Sequence, residues 1–353
     1  MDTFARLLHL SPATFWIAVK VLLAFGIPMG LGPILTWAER RGSAMMQDRI
    51  GPNRVALFGK IRIMGLLQPM ADGLKFFFKE DLRPTGANKV LFWLAPALAF
   101  VPAMLCLAVI PLGRDFQSGD ALYHFSLLDP GNGMGMLLPL AVGAMAVYGV
   151  MIAAWSSNNK WSILGGMRAS AQMVSYEVGL SLAVIAIFMS VGGYDPHQIV
   201  EAQAHGWFIW RQPIGFLVFF VCMFAEANRL PFDFAEGESE IVSGFHTEYG
   251  SMKFGMMGLT EYVHIIGASA LIVTLYLGGW RLPFMADQSQ VPVLLTFAVF
   301  LVKLVLVSCT FIWVRWTLPR FRYDQLMDLG WKKLLPLSMA NLLGIAYIMQ
   351  MRG

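Results

Sequence analysis

The sequence predicts an all-α, polytopic membrane protein with about eight transmembrane helices, plus an amphipathic interfacial helix in the first cytoplasmic loop. Three observations carry this. The 353 residues are 57% hydrophobic and only 14% charged, which leaves too little polar surface to cover a soluble globule of that size. Eight stretches approach or exceed the roughly 20 apolar residues a helix needs to cross a bilayer. The charged residues crowd into alternate connections between those stretches.

The apolar stretches cover residues 15–37, 90–112, 134–155, 170–191, 212–230, 254–280, 291–316 and 334–351, within one membrane domain over 1–353. The fifth is the weakest: its unbroken run, Pro213 to Ala225, is too short to cross alone and meets Glu226 before it ends. Pro28 and Pro33 in the first stretch, and Pro96 and Pro102 in the second, predict kinks that neighbouring helices tolerate in a membrane. The segment before the first span carries Asp2, Arg6 and His9 without a small-residue cleavage site, so it does not read as a removed signal peptide.

Basic residues set the orientation, because cytoplasmic loops carry the excess of Lys and Arg. The loop from Ala38 to Lys89 holds ten, and the third, fifth and seventh loops bring that side to 19 against five on the other. Both termini are therefore expected on the periplasmic side and the large charged loops in the cytoplasm. The formal charge of +4 belongs to these short loops, which removes nucleic acid as an expected partner. Cys106, Cys222 and Cys309 are scattered through apolar stretches, and only His264 of six histidines lies well inside a span, so no cluster, haem or metal-ligand set is expected.

Within the first cytoplasmic loop, Ile63, Leu66, Leu67, Met70, Leu74, Phe77 and Phe78 recur at helical spacing, with Gln68, Asp72, Lys75 and Lys79 on the other face. This predicts an amphipathic helix over about 63–79 at the membrane surface. It reads either as a simple anchor or as one wall of an entrance for a lipid-soluble molecule. Asp72 favours the second reading, since a carboxylate among apolar neighbours needs a partner or water.

The fifth loop interleaves Glu226, Asp233, Glu236, Glu238, Glu240 and Glu248 with Phe, Leu and Ile, against Arg229 and Lys253. Glu177 and Glu261 lie inside spans, where an ionisable group costs on the order of 3 kcal/mol and usually marks a proton or ion pathway. Carboxylates crowded where water is scarce repel one another, so some hold protons near neutral pH, as a proton relay requires. Structural ion pairs with loop arginines remain the alternative. No nucleophile with its base, phosphate-binding glycine loop or inverted repeat is present.

The segments AERRGSAMMQDRIGPNRV from Ala38, LLQPMADGLKFFFKED from Leu66, AEANRLPFD from Ala225, ESEIVSGFHTEY from Glu238 and PRFRYDQLM from Pro319 closely resemble the H subunit of bacterial NADH:quinone oxidoreductase, respiratory complex I. Its mitochondrial counterpart is NADH dehydrogenase subunit 1. The resemblance spans all eight stretches. It implies a membrane subunit that binds no cofactor itself, with FMN and iron–sulfur clusters in partner subunits and quinone as substrate. Its implied partners are the peripheral quinone-site and iron–sulfur subunits, small neighbouring membrane subunits and the lipid bilayer, in the bacterial cytoplasmic membrane. By the same resemblance Arg40, Arg49 and Asp72 belong to the quinone chamber. Glu177, Glu226, Glu236, Glu238, Glu248 and Glu261 belong to a proton path, supported by Arg168, Arg229 and Arg315.

Two departures from the family pattern stand out. ALFGKIRIMG between GPNRV and LLQP is longer than the usual link, which puts the start of the amphipathic helix in question; Leu230 replaces the usual small residue before Pro231. The nearest rival is the membrane subunit of an energy-converting hydrogenase or related oxidoreductase, and a rival of another class is a stand-alone ion transporter.

Overall fold

The computed structural model describes residues 12–56, 62–118, 121–128, 135–283, 285, 288 and 291–352, apart from the side chains of 12–13, 117–118, 121–123, 238–239 and 352. The first helix, α1 (Pro12–Met46), is 35 residues long and runs without interruption through Pro28 and Pro33. At 1.5 Å per residue that is about 52 Å, well beyond a hydrocarbon core of about 30 Å. The apolar pattern fades near residue 37 while the helix continues, so Glu39, Arg40 and Arg41 sit on its last turns.

The amphipathic helix, α2 (Gln68–Phe78), begins later than the apolar pattern suggests. Met64 and Gly65 take positive φ angles of 46° and 82° and form a turn, and Pro69 starts the helix where a missing N–H costs nothing. A Cβ on Gly65 would lie 1.9 Å from the Pro52 carbonyl oxygen, so this crossing of two loop segments requires glycine. Ser251 ties down the other end by hydrogen-bonding the carbonyls of Phe76 and Lys79 at 3.1 and 2.8 Å. Met70, Leu74, Phe77 and Phe78 remain exposed along one side, as expected of a face that meets lipid.

Helix α3 (Lys89–Leu105) is capped by the Asn88 side chain, which accepts from the Val90 and Leu91 amides. It ends in a 3-10 turn, Cys106–Ala108, and leads into a small antiparallel pair, β1 (Phe116–Ser118) and β2 (Ala121–Tyr123). This pair is the only strand structure among the described residues. Helix α4 (Leu137–Ser156) returns against α3 so closely that a Cβ on Gly149 would fall 2.6 Å from the Ala99 nitrogen, a small-residue contact of the kind membrane helices use. Helix α5 (Lys160–Val191) starts on the Asn159 cap and stops at Gly192, whose left-handed φ of 78° releases the chain.

After two short helices, α6 (Pro196–Ala202) and α7 (Phe208–Arg211), comes α8 (Pro213–Glu226). Its 14 residues extend about 21 Å, too short to cross alone. Neighbours cover one side of it, with Val218, Phe219, Cys222 and Phe224 almost fully buried, while Ile214 and Leu217 stay exposed on the other. The fifth loop folds as α9 (Glu238–Ile241) and a 3-10 turn at Gly244–His246. Helix α10 (Ser251–Tyr276) is the most buried of the long helices. Helix α11 (Val293–Thr317) follows, then α12 (Tyr323–Asp328), a π-helical segment (Leu329–Leu334) and α13 (Leu335–Arg352).

Seven helices among the described residues are long and apolar enough to cross a membrane, and α8 is a shorter apolar helix packed beside them. Leu22, Trp93, Trp155, Leu294, Val302 and Leu343 stand more than half exposed on the outside of the bundle. Such a surface is ruinous in water and ordinary in lipid.

Candidate functional site

The overrun of α1 carries Glu39 to the junction of α1, α10 and α11, where it is 7% exposed. Arg315, at the end of α11, donates to Glu39 Oε1. The Tyr262 hydroxyl donates to Oε2 at 3.0 Å, and Arg229 Nη1 approaches the same oxygen at 3.8 Å. Arg229 is itself 5% exposed, and its other branch pairs with Glu261 at 2.8 Å, while its guanidinium stands 4.5 Å over the Tyr262 ring. A buried charge is tolerable only when paired, and here each carboxylate is met by an arginine. Arg229 in turn answers two carboxylates and an aromatic face, which together offset the loss of its hydration.

From Glu261 the chain of groups continues into the fifth loop. Glu236, His246 and Glu261 bring one polar atom each within 4.8 Å of one another, and His246 Nδ1 lies 2.9 Å from Glu236 Oε1. Burial alone raises the Glu236 carboxyl, yet the His246 contact and the Arg229 charge outweigh it and lower the carboxyl overall. Asp233 pairs with Arg320 at 2.8 Å; burial and the nearby Glu236 nevertheless push it up to about 6.

Deeper in the bundle lie Glu226, at the end of α8, Glu177 on α5 and His264, one turn after Glu261 on α10. Two cavities, each with about 40 Å³ of room for water, adjoin them. One is lined by Glu177, Ser181, Glu226 and His264, the other by Glu226, Asn228, His246, Glu261 and His264. A single water needs about 10–15 Å³. Glu226 and His264 line both spaces, which places them between the Glu261–Glu236–His246 group and Glu177.

On the outer side of α1, Arg40 donates to Asp72 of α2, and Gln68 also reaches Asp72 at 3.3 Å. Arg40, Arg49, Arg54 and Gln68 rim an open basin of about 390 Å³ between α1 and the following loop. Arg49 is exposed and hydrogen-bonded to Gln47 at 2.7 Å.

Of the residues singled out by sequence, the fold therefore gathers Glu177, Glu226, Glu236, Glu261, Arg229 and Arg315 into one region, and Arg40, Arg49 and Asp72 around a second. Two others stand apart. Glu248 accepts from Asn159 at 2.6 Å, at the head of α5, and Arg168 pairs with Glu240. The side chain of Glu238 lies outside the described residues. Sequence reasoning missed Glu39, Tyr262, His246, His264 and Arg320 as members of the cluster. Glu39 left one usable signal: an acid among the basic residues that follow an apolar span, on a stretch still helical in character.

These features define a polytopic, α-helical membrane protein with a group of acids and bases gathered inside its bundle. More narrowly, the chain belongs to the NADH dehydrogenase family, whose model matches residues 18–346. It is 46% identical over 330 residues to an H subunit of the NADH-quinone oxidoreductase of Cytophaga hutchinsonii, covering 92% of this chain and 94% of that protein. It is 42% identical over 346 residues to an H subunit of the NADH-quinone oxidoreductase of Geobacter metallireducens, covering 97% and 100%. NADH-quinone oxidoreductase subunit 8 of Rhodothermus marinus is 43% identical over 346 residues, covering 94% and 96%.

Proposed function

We propose that this chain is the membrane subunit of a proton-pumping NADH:quinone oxidoreductase, forming the membrane side of the quinone chamber and coupling quinone reduction to proton translocation. The observation that carries this is the paired group of Glu39, Arg229, Glu261, Glu236 and His246, with two cavities shared by Glu226 and His264 lying between it and Glu177. Arg40, Arg49 and Asp72 serve the chamber: a quinone head is neutral when it arrives and gains negative charge as it is reduced, and arginines favour that charge. The exposed apolar row of α2 offers lipid-soluble quinone a greasy approach from the bilayer.

Reduction of quinone to quinol takes up two electrons and two protons; where those protons are drawn from neighbouring side chains, the quinol leaves neutral and the charge beside Glu39 and its arginines changes. Each arginine there is held by carboxylates, and a change in one pairing alters the proton affinity of the next. Glu226 and His264 pass the disturbance toward Glu177 along the two water-sized cavities they line. Glu238 and Glu248 belong to the same acidic loop, with Arg168 supporting it. The electrons travel through partner subunits, where FMN and iron–sulfur clusters reside, and this chain contributes charge and proton handling. It sits in the cytoplasmic membrane with its charged loops on the cytoplasmic side and both termini in the periplasm.

Gentle solubilisation followed by protein identification tests this. Flavin- and iron–sulfur-containing subunits with NADH:quinone reductase activity should co-purify with the chain. A nickel-containing partner would assign it instead to a hydrogenase, and a chain purifying alone with ion transport activity would make it a transporter.

A further inference from the structure

At the end of the bundle where α5 finishes and α4 begins, away from α2 and the buried acids, three residues from separate segments meet. Asp115 precedes β1, His124 follows β2, and His197 lies in the first turn of α6. His124 Nδ1 is 2.8 Å and His197 Nδ1 is 3.5 Å from the same Asp115 oxygen, Oδ2. One ligand atom from each of the three lies within 4.8 Å of the other two. The remaining Asp115 oxygen, Oδ1, accepts the Phe125 amide at 3.2 Å, which orients the carboxylate and leaves Oδ2 for the two imidazoles. His197 is only 9% exposed, and Nδ1 is the ring nitrogen it turns toward Asp115, while its Nε2 has no hydrogen-bond partner among the described residues.

We propose that Asp115, His124 and His197 form a binding site for a divalent first-row metal ion of the zinc class. Two imidazole nitrogens and one carboxylate oxygen are the donor set of three-ligand zinc sites that keep a fourth position for water. A tetrahedral ion with bonds of about 2.0–2.1 Å sets its donors about 3.4 Å apart. The His197 edge already has that length, and the His124 edge needs to open by roughly half an ångström. Asp195, which accepts the His197 amide at 2.9 Å, adds a second negative charge close by.

The ion ties the two flanks of the β1–β2 pair to α6. It also reaches the outer end of α1, because Trp16 stacks on Phe125 at 5.2 Å and donates to the His124 carbonyl at 3.3 Å. None of these residues takes part in the proposed proton path, so the site stands or falls independently of it.

The test uses the intact complex, stripped with a chelator and then equilibrated with zinc ions alone. Wild type should retain one more zinc per complex than His124→Gln or His197→Gln. Zinc should also slow acylation of His124 by diethyl pyrocarbonate in the wild-type complex, read by peptide mass spectrometry, a measurement that needs no variant to assemble. Equal zinc in all three proteins, or His124 acylated as fast with zinc as without, overturns the inference and leaves the three residues a hydrogen-bonded clamp.

Discussion

At Glu39 two guanidinium groups and a phenol converge on one carboxylate that is 7% exposed. Glu39→Gln leaves Arg229 and Arg315 facing a neutral acceptor, and breaking a buried pair costs about 3–5 kcal/mol. The expected outcome is a clear fall in the thermal stability of the assembled complex, partly restored by Glu39→Asp; an unchanged melting curve in Glu39→Gln would show that the arginines have other support. Asp233 is the other informative residue. Its carboxyl rises from the ordinary 3.8 to about 6, chiefly by burial and then by Glu236, in spite of Arg320. Between those values the folded chain holds a proton that the unfolded chain has released, so stability declines as pH rises through that window. Infrared spectroscopy should show a protonated carboxyl lost near pH 6 in wild type and missing in Asp233→Asn. The same titration in both proteins would assign that proton elsewhere. The excess of acids in the fifth loop was legible from the sequence, whereas their partners were not, because Arg229 and Glu261, or Asp233 and Arg320, meet only through tertiary packing.

Helix α2 shows what a period can and cannot reveal. The helical spacing of its apolar and polar residues marks its two faces, and Asp72 does fall on the polar one. The pairing of Asp72 with Arg40 crosses 32 positions and carries no local signature. The apolar pattern also overstates the helix, since it runs on through the turn that Gly65 makes against Pro52. The Arg40–Asp72 pair is partly exposed, at 45% and 20%, so its contribution to stability is about 0–1 kcal/mol. Asp72→Asn should therefore leave the melting temperature of the complex nearly unchanged while altering quinone KM or inhibitor sensitivity. Identical kinetic constants in the variant would reduce α2 to an anchor. At the other helices, hydropathy marks the apolar run rather than the helix ends. It misses the last turns of α1 and the first turns of α5, where Lys160 and Arg168 lie, because charged residues continue those helices beyond the apolar run.

On the scale of the whole molecule, apolar length and loop charge were enough to read an all-helical membrane protein, and the shortness of the fifth stretch was visible in its sequence. What they could not supply is that α8, at 14 residues, ends within the bundle, so that Glu226 at its end lines a cavity. That placement makes Glu226 the bridge between two small water-sized cavities, with the paired groups of the fifth loop on one side and Glu177 on the other. The most direct test of this arrangement is Glu226→Gln in the intact complex reconstituted into vesicles, with NADH-driven quinone reduction and proton uptake followed together. Both should fall about tenfold or more, the consequence of adding about 1.4 kcal/mol to a proton-transfer barrier, while reduction of a hydrophilic artificial acceptor stays at the wild-type rate. Wild-type quinone reduction with wild-type pumping in the variant would contradict a proton path through the buried acids.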